Sequence, residues 1–454
     1  MAVESAPGSG APTAVHRYWH AGDRDWVSIP AHGNQPSAAT MAANGYRIAP
    51  EPQYYVHYIG NPDMVAVYRW WHPGDRDWID VPEGSIPDST LANWGYTSRA
   101  FQFYAHRDPH PGTVAVYRWW HPGDRDWVTL RDGEVPDSTM AANGYQNKTL
   151  LFHADGTRPT TSAYFPFGAA QGAVLQPVSW SEEHDHPHTM SVLDVNPGRD
   201  PAQNGGFRFL AYWGHHECSG IGIARAQDPA GPWVQQAAPL FRGNGERWAS
   251  AMLTPDNRIA LVHNVFWCGG SPDGLPYHVV GRTSTDGRGG TAFTAPRALV
   301  KEPGNVNGNP TLFRDPQDGR VHLYWFREAP GRREIRVRSA ATFSALFDVD
   351  PATPGQLVAV CPDVVAAPQV VRIGGTCYLA VETLEDGNVW KTRVLTSANP
   401  TSGFLEIPDG PVYGDSVACA FQHVFDNRLH TFYCQEHGAG TADWTLDHRS
   451  APLP

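Results

Sequence analysis

Acidic side chains follow strand-like segments at regular intervals in the C-terminal two thirds of the chain. Four of five aromatic-rich segments end in or next to a glutamate, at Glu217, Glu328, Glu382 and Glu436. Asp185 stands in the run HDHPH, directly ahead of another strand-like segment. Two carboxyl groups that face one ligand can act as proton donor and proton acceptor. The pattern therefore predicts paired-carboxylate chemistry, provided that the fold brings these distant residues together.

The segments that must position these residues recur five times with a period near 50. Each unit has a strand, a tight turn, an aromatic-rich strand and a third strand with small and β-branched residues, as in NPTLFRDPQDG, RVHLYWF and EIRVRSA. Regular short strands with such turns are typical of β-propellers. A β-sandwich is the alternative, but it gives no reason for a fivefold repeat. We expect an all-β fold with a five-bladed propeller over residues 158–454.

Propeller geometry predicts where a site would form. The first strand of each blade lines the central channel, and its start lies on the same face as the end of the antiparallel second strand. Positions of these two kinds from all five blades should meet at one rim. The predicted catalytic residues are Asp185, Glu328 and Glu217. The predicted substrate contacts are His186, His188, His215, His216, Glu246, Trp248, Asn309, Trp325, Arg327, Gln369, Glu382, His423 and Glu436. The histidines follow no standard zinc-binding spacing, so no metal site is predicted.

The N-terminal third consists of three copies of another unit. WWHPGDRDW occurs at Trp70–Trp78 and Trp119–Trp127, and YWHAGDRDW occurs at Tyr18–Trp26. Each copy has the same order of parts: a strand, a tight turn, a second strand, a short helical segment and a last strand. One copy cannot bury its apolar face alone, whereas three can close a pseudo-threefold domain such as a β-trefoil. We expect this domain over residues 14–157, after a disordered segment at 1–13.

Two interpretations of the repeated GDRDW motif stay open. In the first, its aspartate and arginine pair locally while its tryptophan packs in the core. In the second, each repeat presents tryptophan, histidine and aspartate to a sugar, because planar aromatic rings stack on sugar rings and carboxylates accept hydroxyl hydrogens. Nine of the 17 tryptophans lie in these repeats, which is more than three small apolar cores need. This excess favours the second interpretation, sugar binding.

Composition excludes several classes of partner. The formal net charge is −12, and no basic stripe could neutralise nucleic-acid phosphates. No apolar run approaches the length of a membrane span, and MAVESAPGSGAPT lacks the apolar stretch of a secretory signal.

All six cysteines lie in the C-terminal part. Cys419 and Cys434 flank an Asp426–Asn427 turn, so a cross-strand disulfide and two buried free thiols are both possible; disulfides would indicate export.

Three stretches of the C-terminal part carry a resemblance to a known group. They are YWGHHECSGIGIARAQDPAGPW at Tyr212–Trp233, RWASAML at Arg247–Leu253 and NPTLFRDPQDGRVHLYW at Asn309–Trp325. With them the region resembles the five-bladed glycoside hydrolases of families 43, 62 and 117. The resemblance implies hydrolysis of a polysaccharide or oligosaccharide, with arabinofuranosides or galactofuranosides as favoured substrates and inversion as the stereochemical outcome. It also implies a secreted monomer that requires no cofactor and that could hold a structural calcium ion.

The resemblance assigns roles residue by residue, with one departure. It implies that Asp185 is the base. The glutamate that usually begins the third blade's inner strand, and acts as the acid, is replaced here by the run Asn307–Asn309. Glu328, or failing that Glu217, would then supply the proton, and a histidine acid, His215 or His216, is a further alternative. The N-terminal unit resembles a short bacterial repeat appended to secreted hydrolases, with arginine where that repeat has histidine. Two alternatives remain: a non-catalytic glycan-binding protein, and a polysaccharide lyase with a histidine or tyrosine base.

Overall fold

The structure is a computed structural model that describes residues 13–22, 25–31, 35–158, 169–175, 187–195, 205–215, 220–243, 245–265, 278–361, 363–385, 389–407, 416–436 and 444–453. The predicted disordered segment 1–13 lies, apart from Thr13, outside these residues. The chain forms two compact units, and the main division falls between Ser162 and Ala163. Among the described residues no helix has the length and apolar character needed to span a membrane.

The N-terminal unit is a ten-stranded sheet with three short helices. Its elements are β1 (Thr13–His20), β2 (Asp25–Pro30), α1 (Ala38–Ala43), β3 (Tyr46–Ile48), β4 (Tyr54–Val56), β5 (Met64–His72), β6 (Asp77–Pro82), α2 (Asp88–Asn93), β7 (Thr97–His106), β8 (Thr113–His121), β9 (Asp126–Arg131), α3 (Asp137–Ala142) and β10 (Gln146–Asp155). In each repeat the first strand (β1, β5 or β8) pairs with a hairpin partner (β2, β6 or β9) and with the last strand (β4, β7 or β10).

Equivalent residues of the three repeats meet in one apolar core. The first strands contribute Val15, Val67 and Val116, and the last strands contribute Tyr54, Phe103 and Phe152. All six are almost completely buried. One repeat supplies only part of this core, which explains why the unit occurs three times. The β-trefoil assignment itself stays a prediction.

The predicted short helices are present, and they begin in two different ways. The Ser37 hydroxyl accepts a hydrogen bond from the Thr40 N–H and caps α1, whereas α2 and α3 begin after prolines that make no side-chain cap bond. Asp88 and Asp137 lie inside the first turns of α2 and α3. A carboxylate there still interacts favourably with the helix dipole.

The C-terminal unit consists of five four-stranded sheets. Blade 1 has β12 (Pro187–Asp194), β13 (Phe209–His215), β14 (Ile221–Ala226) and β15 (Val234–Gln235). Blade 2 has β16 (Arg247–Leu253), β17 (Ile259–Val265), β18 (His278–Thr283) and β19 (Arg297–Val300). Blade 3 has β20 (Val306–Arg314), β21 (Val321–Ala329), β22 (Arg332–Ala340) and β23 (Gln356–Cys361), with a 3₁₀ helix at Ser344–Asp348. Blade 4 has β24 (Val364–Ile373), β25 (Thr376–Glu385), β26 (Val389–Ser397) and β27 (Leu405–Glu406). Blade 5 has β28 (Val417–Phe425), β29 (Arg428–Glu436), β30 (Trp444–Pro452) and β11 (Ala169–Leu175).

Two features close these sheets into a ring. The inner strands β12, β16, β20, β24 and β28 contact one another in a complete cycle. The strand β11 comes before blade 1 in sequence but pairs with β30 at the outer edge of blade 5, with Ala169 opposite Ser450. The first and last strands of the unit therefore share one sheet. The prediction of a five-bladed β-propeller is confirmed.

Candidate functional site

Each inner strand of the propeller is interrupted by a β-bulge near its start. The register shifts lie between Pro187 and Thr189, Arg247 and Ser250, Gly308 and Thr311, Ala366 and Gln369, and Ala418 and Phe421. In four blades a bulge residue has a left-handed backbone, with φ of 57° at Trp248, 50° at Asn309, 47° at Ala367 and 54° at Cys419. Such residues cost about 1–3 kcal/mol each and cluster at functional sites. The bulges turn side chains towards one end of the channel.

A cavity lies at this end of the channel, open to solvent and with a volume of about 230 Å³. We call it the central cavity. All five blades contribute to its lining, which is formed by His188, Arg247, Trp248, Val306, Asn309, Phe326, Glu328, Arg333, Val364, Ala366, Glu382, Trp390, Ala418 and Trp444. Aromatic and aliphatic walls with a few converging polar groups are typical of small-ligand sites.

Two glutamates lie in the central cavity in different surroundings. The Glu328 side chain is 43% exposed, and its Oε1 accepts a hydrogen bond from Arg333 Nη2 at 2.9 Å. Glu382 is buried, and its Oε2 accepts hydrogen bonds from the Cys419 N–H at 3.2 Å and from Cys419 Sγ at 3.1 Å. Burial raises the pKa of Glu382, although the Cys419 donors and Arg247 oppose this shift. Glu328 is thus the carboxylate that a ligand reaches first.

Cys419 and Cys434 are buried free thiols in this structure. The bulge moves Cys419 out of register, so that Ala418, and not Cys419, pairs with Cys434. The Cys434 thiol donates to the His188 carbonyl oxygen at 2.6 Å. Burial raises the pKa of both thiols. Of the two alternatives left open by the sequence, free thiols are the one that the structure contains.

The structure brings five of the predicted site residues together. His188, Trp248, Asn309, Glu328 and Glu382 all line the central cavity, and their functional roles stay predictions. Four predicted residues lie outside the described part of the chain, namely Asp185, His186, His216 and Glu217. For His215 the structure describes the backbone, at the end of β13 and opposite Pro187.

Two predicted contacts on β21 are structural residues. Trp325 is fully buried in an apolar cluster, and its Nε1 donates to Asn307 Oδ1 at 3.1 Å. Arg327 forms ion pairs with Glu302 at 2.7 Å and Glu334 at 2.9 Å. Neither residue lines the central cavity. Alternate strand residues face opposite sides, so Arg327 points away from the side on which Glu328 lies.

Gln369 and His423 connect inner strands of neighbouring blades. Gln369 Nε2 donates to Thr311 Oγ1 at 2.5 Å, and His423 Nε2 accepts from the Val192 N–H at 3.1 Å. Both residues line a second depression, beyond the bulges along the inner strands, and not the central cavity. Burial lowers the pKa of His423 to about 4, which keeps its ring neutral and able to accept this bond. They therefore do not line the central cavity, and their role as substrate contacts stays a prediction.

The last two predicted contacts flank the cavity without lining it. Glu246 is 2% exposed and directly precedes Arg247, whose side chain does line the cavity. Glu436 ends β29, and its N–H donates to the Ser416 carbonyl oxygen at 3.0 Å. In both cases the strand end lies where the sequence predicts it, but a neighbouring residue, Arg247 in sequence or Trp444 on the paired strand, lines the cavity instead.

Sequence reasoning missed several lining residues. Arg333, Trp390 and Trp444 all lie in the central cavity. All three are at or next to the start of a third strand, because β22, β26 and β30 begin at Arg332, Val389 and Trp444. A third strand starts on the face where the second strand ends. Examining the third-strand starts as well would have found these three residues.

In the N-terminal unit, the tryptophan of each GDRDW motif packs against a different repeat. Trp26 joins the apolar cluster around Trp119, Trp78 joins the cluster around Tyr18, and Trp127 joins the cluster around Trp70. Each of the three also contacts a neighbouring tryptophan ring, with centroids 4.6–4.8 Å apart. This packing of each tryptophan in the apolar cluster of another repeat supports the structural interpretation of the repeated tryptophans.

The other motif residues also have structural partners. The His72 ring nitrogens bond the Asp75 N–H at 2.9 Å and the Trp94 carbonyl oxygen at 3.0 Å, which ties the hairpin to the end of α2. Arg125 pairs with Asp75 at 2.8 Å. This pairing joins the second and third repeats, so for these two residues the predicted local aspartate–arginine pair is corrected to one between repeats.

Two polar clusters occupy threefold-equivalent positions in the N-terminal unit. Asp25, Asp77 and Asp126 begin the hairpin partner strands and are buried together. Burial, and then the neighbouring aspartates, raise the pKa of Asp77 and of Asp126. At the ends of the last strands, Asp155 lies 3.0 Å from His57 and 3.5 Å from His106. Burial acts to raise the pKa of Asp155, but the hydrogen bonds and charges of the two histidines together outweigh burial and lower the pKa to about 2.

Comparisons with known proteins found similar solved structures. No family model matches the chain, and no match was found among curated proteins. The catalytic domain of a family 62 α-L-arabinofuranosidase from Coprinopsis cinerea is 14% identical, with 63% of this chain and 97% of that chain covered and a TM-score of 0.45. An α-L-arabinofuranosidase from Podospora anserina, in complex with cellotriose, is 12% identical over 64% and 98%, with a TM-score of 0.46. An endo-arabinase from Bacteroides thetaiotaomicron is 15% identical over 59% and 94%, with a TM-score of 0.44. The fold assignment therefore depends on the strand pairing and the closed ring described above.

Proposed function

We propose that the protein is a glycoside hydrolase whose active site is the central cavity. The observation that supports this most is the central cavity itself, to which all five blades contribute side chains and in which aromatic rings lie beside the carboxyl groups of Glu328 and Glu382. Trp248, Trp390 and Trp444 offer flat apolar surfaces, while Arg247 and Asn309 offer hydrogen-bond donors. Sugar rings need this combination, because their faces are apolar and their edges carry hydroxyl groups.

The proposed chemistry uses two carboxyl groups. Glu328 is the accessible glutamate of the central cavity, and Arg333 holds it in position. Asp185 precedes Pro187, the first residue of β12, by two positions, and it is the proposed second carboxyl group. One group protonates the departing oxygen while the other activates water or attacks the sugar carbon. For an inverting enzyme, the two carboxyl groups would be roughly 6.5–9.5 Å apart.

The proposed substrates are furanosides, such as arabinofuranosyl or galactofuranosyl units of a polysaccharide or oligosaccharide. Export and a monomeric state are further proposals from the sequence. The test is incubation of the full chain with panels of furanoside and pyranoside oligosaccharides, followed by product chromatography. Release of a sugar from a furanoside supports the proposal. Absence of any released product across both panels would overturn it.

Non-catalytic glycan binding is a second candidate function, supported by one observation. Asn307 and Asn309 stand on the inner strand of blade 3 where the resemblance calls for an acid, and Asn307 is engaged by the Trp325 indole. This function predicts retention on a glycan array without any released sugar. Chromatography of the same incubation mixtures distinguishes it from hydrolysis.

A further inference from the structure

A cluster of nitrogen and sulfur donors lies at the junction of blades 1 and 5. His188 stands at the start of β12, while Cys419 and Cys434 stand on β28 and β29. One donor atom from each residue lies within 4.8 Å of the other two. Both cysteines are fully buried, and His188 is 5% exposed. Ligands bound at about 2.0–2.3 Å around a tetrahedral zinc ion lie roughly 3.5–4 Å apart, so small side-chain adjustments would suffice.

The bulge in β28 creates this cluster. Its left-handed residue, Cys419, is out of register with β29, so that its thiol lies beside Cys434 instead of forming a regular cross-strand pair. The Cys419 thiol donates to Glu382 Oε2 at 3.1 Å, and the Cys434 thiol donates to the His188 carbonyl oxygen at 2.6 Å. A carboxylate oxygen is therefore already next to one of the sulfur donors.

We infer that His188, Cys419 and Cys434 bind one zinc ion, with Glu382 supplying a fourth oxygen donor directly or through a water molecule. Zinc would replace the two thiol protons, which leave as the thiolates form. Thiolate and imidazole ligands suit zinc, whereas calcium prefers six to eight oxygen ligands, so this cluster does not suit the structural calcium ion that the resemblance allows. The ion would link blade 1 to blade 5, where the ring closes. This inference does not depend on glycoside hydrolysis.

The experiment measures zinc in the full chain without substrate. Metal analysis of protein purified under reducing conditions and dialysed against zinc should give one zinc ion per chain. Cys419→Ser, Cys434→Ser and His188→Ala should each bind zinc at least about 100-fold more weakly, because even the loss of an outer-shell partner costs 10–100-fold. Cys377→Ser and Cys361→Ser are matched controls, because both are buried cysteines of the same unit that lie outside the cluster. They should keep the wild-type affinity.

A second measurement on the unchanged protein covers the case in which the variants fail to fold. Cobalt added to the metal-free chain should give a thiolate-to-cobalt charge-transfer band and the visible bands of a tetrahedral site, and added zinc should abolish both. Calcium at the same concentration should leave the spectrum unchanged. Wild-type protein that binds no zinc would overturn the inference. A Cys419–Cys434 disulfide in protein purified without reductant would also overturn it. So would control variants that lose as much zinc affinity as Cys419→Ser does. None of these outcomes depends on sugar release, which is measured separately.

Discussion

Residues with a left-handed backbone set the orientation of the side chains around the central cavity. Ala367 has φ of 47° and is 2% exposed, in the bulge of β24. Glycine adopts this conformation without the strain that alanine bears. We expect Ala367→Gly to leave the free energy of unfolding unchanged or to raise it by up to about 1 kcal/mol. Ala366→Gly, one residue earlier, should lower it by roughly 0.5–1 kcal/mol. Urea unfolding measures both, and an Ala367→Gly chain destabilised more than Ala366→Gly would contradict this account.

A close backbone approach at Gly95 explains why the repeats combine histidine with glycine. Gly95 has φ of +95°, and a Cβ atom there would lie 2.6 Å from His72 Nε2. Gly84 in the same repeat has φ of +78° but has open space around it. Gly95→Ala should therefore destabilise the N-terminal unit by about 2–4 kcal/mol, from strain and the clash together, and Gly84→Ala by about 1 kcal/mol from strain alone. Thermal unfolding of the two variants makes the comparison, and equal losses would show that the histidine contact is unimportant.

At the scale of elements, the sequence predicts strands and turns better than it predicts side-chain direction. Periodic aromatic segments and Asp-Gly or Gly-Gly turns place β21 and its neighbours correctly. The bulges have no comparable signal, because alanine, cysteine, asparagine and tryptophan all occupy the left-handed position. Consequently Glu328 and Glu382 could be placed in the central cavity from strand ends alone. Trp325, Gln369 and His423 could not be excluded from it, because one extra residue in a strand changes which side chains face inwards.

The aspartates at the starts of β6 and β9 make the N-terminal unit sensitive to alkaline pH. Burial and mutual repulsion raise the pKa of Asp77 and Asp126, so the folded unit holds more protons than the unfolded chain from about pH 4 upwards. Stability is therefore fully present at acidic pH and is lost as the pH rises through the raised values. Asp77→Asn should stabilise the unit by about 1–3 kcal/mol at pH 8 and less at pH 4. Calorimetry at the two pH values measures this.

Asp108→Asn is the control for this pH dependence. Asp108 is exposed in the same unit, so the substitution should leave the stability at either pH within about 0.5 kcal/mol of wild type. If Asp77→Asn were no more stable at pH 8 than at pH 4, relative to wild type, the carboxylates would not repel one another in the folded unit.

At the scale of the whole molecule, the two units should respond to pH in opposite directions. Burial lowers the pKa of His423, His430 and His448 in blade 5 to about 4. Their lowered values mean that the unfolded chain binds more protons between about pH 6.5 and pH 4, so the propeller loses stability as the pH falls through this range. His448 Nδ1 also bonds Gln171 Oε1 at 2.7 Å, which ties blade 5 to its closing strand β11.

Calorimetric scans from pH 7 to pH 4.5 test this expectation. The propeller transition should move to lower temperature by an amount that corresponds to about 1.4 kcal/mol for each histidine and each pH unit below 6.5. His448→Gln should flatten this dependence, whereas His110→Gln, at an exposed position in the N-terminal unit, should not. A propeller transition that does not move with pH would contradict the assignment of neutral histidines.

The architecture of the whole molecule was more predictable from the sequence than its active site. A repeat of about 50 residues specifies five blades, because each blade packs only against its neighbours and the same pattern must recur. Ring closure by β11 was not predictable, since Ala169–Leu175 resembles no inner strand and pairs with a segment at the other end of the unit. The role of Asp185 stays a prediction from the resemblance.

The most direct test of the central claim is the rate of sugar release by the Glu328→Gln chain, measured by product chromatography on a substrate that the wild-type chain cleaves. Loss of a catalytic carboxyl group should slow release by about 10²–10⁴-fold with no change in the thermal unfolding midpoint. Asp318→Asn, at an exposed carboxylate in the loop that precedes β21, should cleave at the wild-type rate. Glu328→Gln protein that cleaves as fast as wild type would contradict the assignment of the central cavity as the active site.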